Sequence, residues 1–194
     1  MISGQRRGRW TGVPLEDRQA RRRDDLLNAG VQLLGAQDGP AVTVRAVCRH
    51  AGLTERYFYE SFADRDQFVR AIYDEVCTRA MSALTTAKTP REAVEQFVAL
   101  MVDDPTRGRV LLLAPEAEPV LVHSGAEWMP SFIDLLQRKL TTITDPAIQN
   151  MAATSLIGGL TALFTAYLDG RLIASREQFI DYCVGMLISR ATTG

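Results

Sequence analysis

The sequence predicts an all-α fold, and three observations support this. Apolar side chains recur at intervals of three and four residues along most of the chain, the spacing that places them on one face of a helix. No segment alternates apolar and polar residues as a half-buried strand does. Proline, glycine, serine and threonine stand where the apolar segments begin and end, and these residues start and stop helices.

The segment Thr43–Phe62 predicts two short helices joined by a tight turn. The first helix opens at Thr43 and has one apolar face, formed by Val44, Val47, Cys48 and Ala51. Gly52 accepts the left-handed backbone that ends a helix, and Thr54 is expected to cap the next one. Around the second helix, the side chains expected to point inward are those of Leu53, Phe58 and Phe62. Those expected to point outward are Arg56, Tyr57 and Tyr59. Two helices in this arrangement form a DNA-reading helix-turn-helix.

Charge is distributed unevenly along the chain. Residues 1–23 contain seven arginines but only Glu16 and Asp17 as acidic residues, a net charge of +5. Residues 1–70 carry a net charge of +3 and residues 71–194 carry −4. We interpret residues 1–15 as a flexible basic arm that seeks a polyanion.

The segment Leu26–Phe68 resembles the DNA-binding domain of the TetR family of bacterial transcriptional regulators. The resemblance covers an apolar first helix, the T-V-R-x-V opening of the second helix, A-G-L-T at the turn, and the junction at Phe62, Arg65 and Phe68. Glu55-Arg56-Tyr57 stand where many members have Lys-Gly-Thr, so the operator sequence does not follow from the resemblance. The resemblance implies an N-terminal three-helix domain over residues 16–66 and a larger helical ligand-binding and dimerisation domain over residues 67–194.

The C-terminal part of the chain predicts six further helices. Pro90 suits a first helical position, and Ser175 with Gln178 forms a capping signature. Pro115–Pro119 is expected to be a connection, with Glu116 and Glu118 as solvated caps. The expected helices are 64–86, 90–102, 107–114, 120–143 with a bend near Pro130, 146–168 and 175–190.

The segment Pro146–Leu168 has 23 residues and no charged side chain. By length alone it could span a bilayer. However, it contains Gln149, Asn150 and several threonines, and it lacks aromatic belts at both ends and a basic flank. We therefore expect no membrane partner, because a helix that is apolar nearly all round also suits a buried core or a subunit interface.

The sequence offers little support for an enzyme. Its two histidines are His50 and His123, and no spacing of histidine with acidic residues suits a metal ion. No glycine-rich phosphate loop follows a strand, so we expect no catalytic residues, no metal and no cofactor. Three cysteines without a C-x-x-C pair, and an N-terminus without the apolar core of a signal peptide, favour a reducing cytoplasm.

We therefore expect a homodimeric transcriptional regulator, most simply a repressor that a small apolar or aromatic ligand releases from double-stranded operator DNA. An activator or a ligand-independent regulator on the same fold is the alternative. Arg56 is the candidate for base contacts, and the resemblance implies phosphate contacts at Thr43, Tyr59 and Arg65. The expected DNA-binding residues are Arg6, Arg7, Arg9, Thr43, Arg45, Thr54, Arg56, Tyr57, Tyr59 and Arg65. The expected ligand-binding residues are Tyr73, Phe97, Met101, Leu112, Trp128, Phe132 and Phe164. The expected dimer interface consists of Leu156, Leu160, Leu163, Phe179, Val184 and Leu187.

Overall fold

The computed structural model describes residues 15–37, 39 and 41–191, and this part of the chain contains helices and no strand. The predicted all-α fold is thereby confirmed. The arm residues Arg6, Arg7 and Arg9 lie outside the described residues. The helices are α1 Leu15–Leu34, α2 Val44–Ala51, α3 Glu55–Ser61, α4 Arg65–Thr86, α5 Pro90–Met101, α6 Pro105–Leu112, α7 Ala114–Ala117, α8 Ser124–Lys139, α9 Pro146–Leu168 and α10 Arg176–Ala191, with a 3₁₀ turn at Pro119–Leu121.

Most of the predicted helix ends are formed by local hydrogen bonds. The Thr43 hydroxyl accepts from the backbone N–H of Ala46 at 3.2 Å, and the Asp64 carboxylate accepts from that of Gln67 at 2.7 Å. Gly52 ends α2 with φ 66°, in the left-handed region that glycine tolerates best. The prediction for Thr54 is wrong in one respect: it occupies the capping position of α3, but its side chain makes no capping hydrogen bond.

The connection between α6 and α8 differs most from the sequence prediction. A short helix and a 3₁₀ turn replace the expected linker, and each has a proline in its first turn, where the missing N–H is not needed. The helix expected over residues 120–143 therefore begins only at Ser124, and it ends at Lys139. Leu121 holds the 3₁₀ turn in place because its side chain is fully buried.

Helices α1, α2 and α3 pack on the N-terminal half of α4, and we call these elements the head. The rings of Phe58, Phe62 and Phe68 form a triangle with centroid distances of 5.5, 5.1 and 4.8 Å. Gly30 lets α1 approach α4 closely, because a Cβ atom there would lie 2.5 Å from Cδ1 of Ile72. The same core continues along α4 to Met101, Val110 and Leu121, so the head is joined to the rest of the chain through packed side chains. The expected division at residues 66 and 67 falls in the first turn of α4 and stays a prediction.

The remaining helices, α5 to α10, form the body. Phe164 of α9 contacts Phe97 of α5 and Phe179 of α10, each at a centroid distance of 4.9 Å. Tyr167 stacks on Phe179 at 4.3 Å. Helix α8 packs along α9, and Leu140 and Ile143, which follow α8, form a buried cluster with Ala153 and Leu156 of α9.

The expected dimer interface needs correction at three of its six residues. Leu156, Phe179 and Val184 are only 3%, 2% and 8% exposed, because they pack in the core of their own chain, where a partner could not reach them. Leu160 and Leu187 are partly buried as well and face a cavity described below. Leu163 is also partly buried, against the body core.

Helix α9 is long and apolar enough, by length and composition, to cross a membrane. One side of it packs against α8, α6 and α10. The other side is exposed and carries Met151, Ser155, Gly158 and Ala162, at spacings of four, three and four residues. Such a spacing forms one stripe along a helix. On α10, Tyr182 is 63% exposed, and Gly185 is exposed as well. We call these six residues the α9–α10 face.

Candidate DNA interface and ligand cavity

Helix α3 presents a polar face to solvent, as the sequence predicts. Arg56 is 83% exposed, and its Nε donates to Oε1 of Glu60 at 3.0 Å, which leaves both terminal nitrogens of the guanidinium without a partner among the described residues. Tyr59 is 57% exposed, although large aromatic residues are usually buried. Phe58, between them, is fully buried and anchors the helix. The exposed side of α3 can therefore reach into a groove while its buried side keeps the helix in place.

Tyr57 is the exception on this helix, because it is partly covered. The guanidinium of Arg22 in α1 lies 4.2 Å above its ring, and NH2 of Arg22 lies 3.7 Å from Oε2 of Glu60. A cation over an aromatic face is attracted by the quadrupole of the ring. The sequence did not indicate Arg22 as a positioning residue, because the arginines of residues 1–23 were expected only to attract a polyanion. The segment is helical from Leu15 onward.

Helix α2 contributes its N-terminal end. The hydroxyl of Thr43 caps the helix and remains at the surface, and Arg45 is 88% exposed. Its Nε lies 3.7 Å from Glu55 at the start of α3, near the exposed Thr54. A surface pair of this kind is weak, so Arg45 can exchange Glu55 for a phosphate at little cost.

Arg65 is placed differently from the expectation. Nε donates to the backbone carbonyl of Val42 at 2.7 Å, NH1 donates to Asp66 at 3.2 Å, and NH2 donates to both carboxylate oxygens of Glu118 at 2.8 and 2.9 Å. The hydrogen bond that Arg65 donates to Glu118 raises the pKa of Arg65 above its ordinary value. All three nitrogens already have acceptors in the chain, so a phosphate contact by Arg65 requires one of them to change partner.

Glu118 is not the solvated cap that the sequence predicts. Its side chain is 18% exposed and joins the 3₁₀ turn of the body to Arg65, 53 residues earlier in the chain. Through the carbonyl of Val42, which immediately precedes the capping residue of α2, the ion pair reaches the helix-turn-helix. We call these three residues, Val42, Arg65 and Glu118, the hinge contact.

A cavity of about 650 Å³ lies between α4 and the body helices α5 to α10. This volume falls in the range of small-molecule sites. Six of the seven expected residues line it: Tyr73, Phe97, Leu112, Trp128, Phe132 and Phe164. The expectation for Met101 is wrong. Its side chain is fully buried in the core, and its carbonyl lies so close to Gly108 that a Cβ there would clash at 2.0 Å.

Polar groups are few in the cavity wall. Tyr73 lines it, and burial raises the pKa of its phenol, so the group stays neutral at physiological pH. Nε1 of Trp128 donates to Asp74 at 2.8 Å. The wall also includes Pro115 and Glu116, two to three residues before Glu118. One short segment therefore forms part of the cavity and part of the hinge contact.

The fold and these two sites define a DNA-binding regulator with a helix-turn-helix head and a hollow helical body. The family model of the bacterial regulatory proteins of the tetR family matches residues 26–72, which span most of the head and the first turns of α4. This match identifies the segment as a DNA-binding domain of the TetR type, and members of the TetR family of bacterial transcriptional regulators are transcription factors rather than enzymes.

Similar proteins agree with this assignment. The HTH-type transcriptional regulator BetI of Rhizobium meliloti is 25% identical over 168 residues, covering 82% of this chain and 74% of BetI. A TetR-family regulator structure from Rhodococcus sp. has 19% identity and a TM-score of 0.66, covering 89% of this chain and all of that one. The multidrug binding protein EbrR, solved with imidazole, has 22% identity and a TM-score of 0.59, covering 87% of this chain and 94% of EbrR.

Proposed function

We propose that the protein is a cytoplasmic, homodimeric repressor that binds a two-fold symmetric operator and leaves it when a small apolar or aromatic molecule enters the body cavity. The observation that carries this proposal is the physical link between the two sites. A single segment, Pro115–Glu118, lines the cavity and holds Arg65 of the head.

On DNA, α3 would lie in the major groove with Arg56 reaching base edges. A guanidinium can donate to both acceptors of a guanine, and the terminal nitrogens of Arg56 are unpaired among the described residues. Thr43, Arg45 and Tyr59 surround this face at the surface and would contact phosphates, which fix the register without specifying sequence. Thr54 immediately precedes α3 and would lie near the DNA as well. The stacked pair of Arg22 and Tyr57 would hold α3 against α1.

The dimer would form through the α9–α10 face rather than through the six interface residues first expected. This face contains small and apolar residues and no charge, so a second copy could approach its backbone closely. Gly158 and Gly185 meet no atom within 4 Å at the position of an added Cβ, which leaves room for a partner helix at both sites. A two-fold axis through this face would pair four helices and set the spacing of the two heads.

Release would follow from a shift in populations. A molecule that fits the cavity better when Pro115 and Glu116 move outward favours the conformation in which Glu118 is displaced as well. Arg65 then loses its bidentate partner, and the capping end of α2 is no longer held against the body. A head with a changed orientation no longer matches the neighbouring major groove. The multidrug binding protein EbrR supports a ligand role for such a body, since its structure was solved with a bound small molecule.

Selection of duplexes from a random DNA pool tests the operator part of this proposal. We expect the enriched sites to be palindromic, with half-sites separated by about one or more helical turns. Compounds that raise the melting temperature of the protein should then lower its affinity for the selected site. Enrichment of asymmetric or random sequences would contradict the proposal.

Glu118→Gln tests the hinge contact. The variant keeps the size of the side chain but removes its charge. A compound that lowers the operator affinity of the wild type should therefore lower that of the variant little or not at all. Glu127→Gln, an exposed acidic residue of α8, is the matched control and should respond as the wild type does. An unchanged response in Glu118→Gln would show that the signal takes another route.

A further inference from the structure

The residues that line the cavity include side chains along most of helix α8. Gly125 lines the cavity near one end, and Lys139 to Thr141 line it at the other. A helix rises about 1.5 Å per residue, so residues 125 and 139 lie about 21 Å apart along the axis. Between these ends the wall on α8 consists mainly of Trp128, Phe132 and Leu136. A ligand that fills this space has a long apolar part.

One end of the cavity is cationic. Lys88, Arg138 and Lys139 line it together with the hydroxyl residues Thr89 and Thr141. These residues come from two segments, the link between α4 and α5 and the end of α8. Nζ of Lys139 joins the segments by donating to the carbonyl of Ala87 at 3.1 Å. The three cationic side chains therefore belong to the same end of the cavity.

The charges at this end are not neutralised within the described part of the chain. Neither Lys88 nor Arg138 forms an ion pair there, whereas many other arginines of the body do. Glu92 lies nearby, but it accepts from the backbone N–H of Lys88 at 2.9 Å and from Gln96, and it does not line the cavity. Glu116 also lines the cavity, and its neighbour Pro115 lies near the opposite end, 3.6 Å from the position of a Cβ atom on Gly125. The residues that line the cavity thus include three cationic side chains and a single carboxylate.

We propose that the ligand of this cavity is an amphipathic anion. Its extended apolar chain or ring system lies along α8, and its single anionic head group lies between Lys88, Arg138 and Lys139. The proposal rests on the proposed function, because it names the chemical class of the molecule that enters the cavity. An anion is favoured because the fields of the three unpaired cations add at the rim of an apolar space, where they attract negative charge. The apolar wall supplies burial for the remainder of the molecule.

Three ten-carbon compounds test the proposal: decanoate, decanol and decylamine, which share a chain and differ in charge. Calorimetry on the full chain should show that decanoate binds at least about tenfold more tightly than decanol, with decylamine weakest. The double variant K88Q/R138Q should lose this preference while it binds decanol as the wild type does, which also shows that it is folded. Arg70→Gln is the control, because Arg70 is exposed on α4 and does not line the cavity.

Equal affinities, tighter binding of decylamine, no binding of decanoate, or a preference that survives in K88Q/R138Q would each overturn the proposal. Operator affinity is measured in parallel with the same compounds. Release by decanol or decylamine at a lower concentration than by decanoate would leave the proposed function intact while it overturns the anionic ligand. A preference for decanoate, with no release by any compound that binds, would support the ligand class and contradict ligand-controlled repression.

Discussion

Replacing Arg56 with alanine should separate recognition of sequence from general attraction to DNA. The Arg56 side chain is 83% exposed, and its only partner among the described residues is Glu60, four residues later in the same helix. Exposed pairs of this type contribute about 0.3–0.5 kcal/mol, so the variant should unfold almost as the wild type does. Any larger effect on DNA binding therefore comes from interactions with DNA that the shortened side chain no longer makes, and not from a damaged head.

The expected decrease in operator affinity follows from the hydrogen bonds that Arg56 can make. A bidentate pair with guanine contributes about 1–3 kcal/mol, and a symmetric dimer makes it twice. The total of about 2–6 kcal/mol corresponds to a fall in affinity of roughly 30-fold to 10⁴-fold at constant salt. Affinity for random DNA should fall much less, because the flanking phosphate-binding residues are intact.

Fluorescence anisotropy with the selected operator and a scrambled duplex measures both effects. Arg79→Ala is the matched control, since Arg79 also forms an exposed pair at a spacing of four residues, with Glu75 of α4, and lies outside the head. We expect this control to bind both duplexes normally. Equal decreases for Arg56→Ala on operator and scrambled DNA would show that Arg56 binds phosphate only, and the assignment of a base contact would be refuted.

Three further predictions concern the arm, the oligomer and the thiols. Deleting residues 1–9 removes three arginines, so the slope of log affinity against log salt should flatten by up to about 0.9 for each phosphate that these arginines neutralise; an unchanged slope would exclude a role for the arm. Met151→Glu places a charge on the α9–α10 face and should convert the dimer into a monomer in light scattering, whereas Ile173→Glu, at a position that is 96% exposed outside this face, should leave it dimeric. Burial raises the pKa of Cys77 to about 12 and that of Cys183 to about 11, so both thiols should resist a thiol reagent at pH 8 until the protein unfolds; rapid modification of the native protein would contradict their burial.

Local features of the head could be predicted because they depend on residues close together in the chain. The Thr43 cap bonds a residue three positions later, and Gly52 adopts its left-handed conformation within the turn that it forms. The apolar spacing of Val47, Cys48 and Phe58 is sufficient to predict which sides of α2 and α3 are buried. Ser175 and Gln178 form the predicted reciprocal cap at the start of α10 for the same reason.

Contacts between distant parts of the chain could not be predicted in this way. Arg65 matches a position that commonly touches phosphate in the family, yet its guanidinium is held by Glu118, 53 residues away. Arg22 belongs to a run of arginines of which any could have faced Tyr57. A long charged side chain has many rotamers and several possible partners, and only the packed arrangement of helices selects one.

Periodicity and capping act over one or two turns, so the amino-acid sequence is sufficient to predict the all-α fold, the helix-turn-helix and most of the helix ends. It also predicted six residues that line the cavity, since large apolar side chains on several body helices must converge on one interior. The packing of the helices was needed to establish which side of α9 faces the core, because both sides of α9 are apolar or small and periodicity cannot distinguish them. The apolar stripe of α10 follows from its spacing, but that spacing does not specify whether the stripe packs in its own chain or against a second copy. Burial of Leu156, Phe179 and Val184 leaves the opposite side, with Met151 and Tyr182, at the surface.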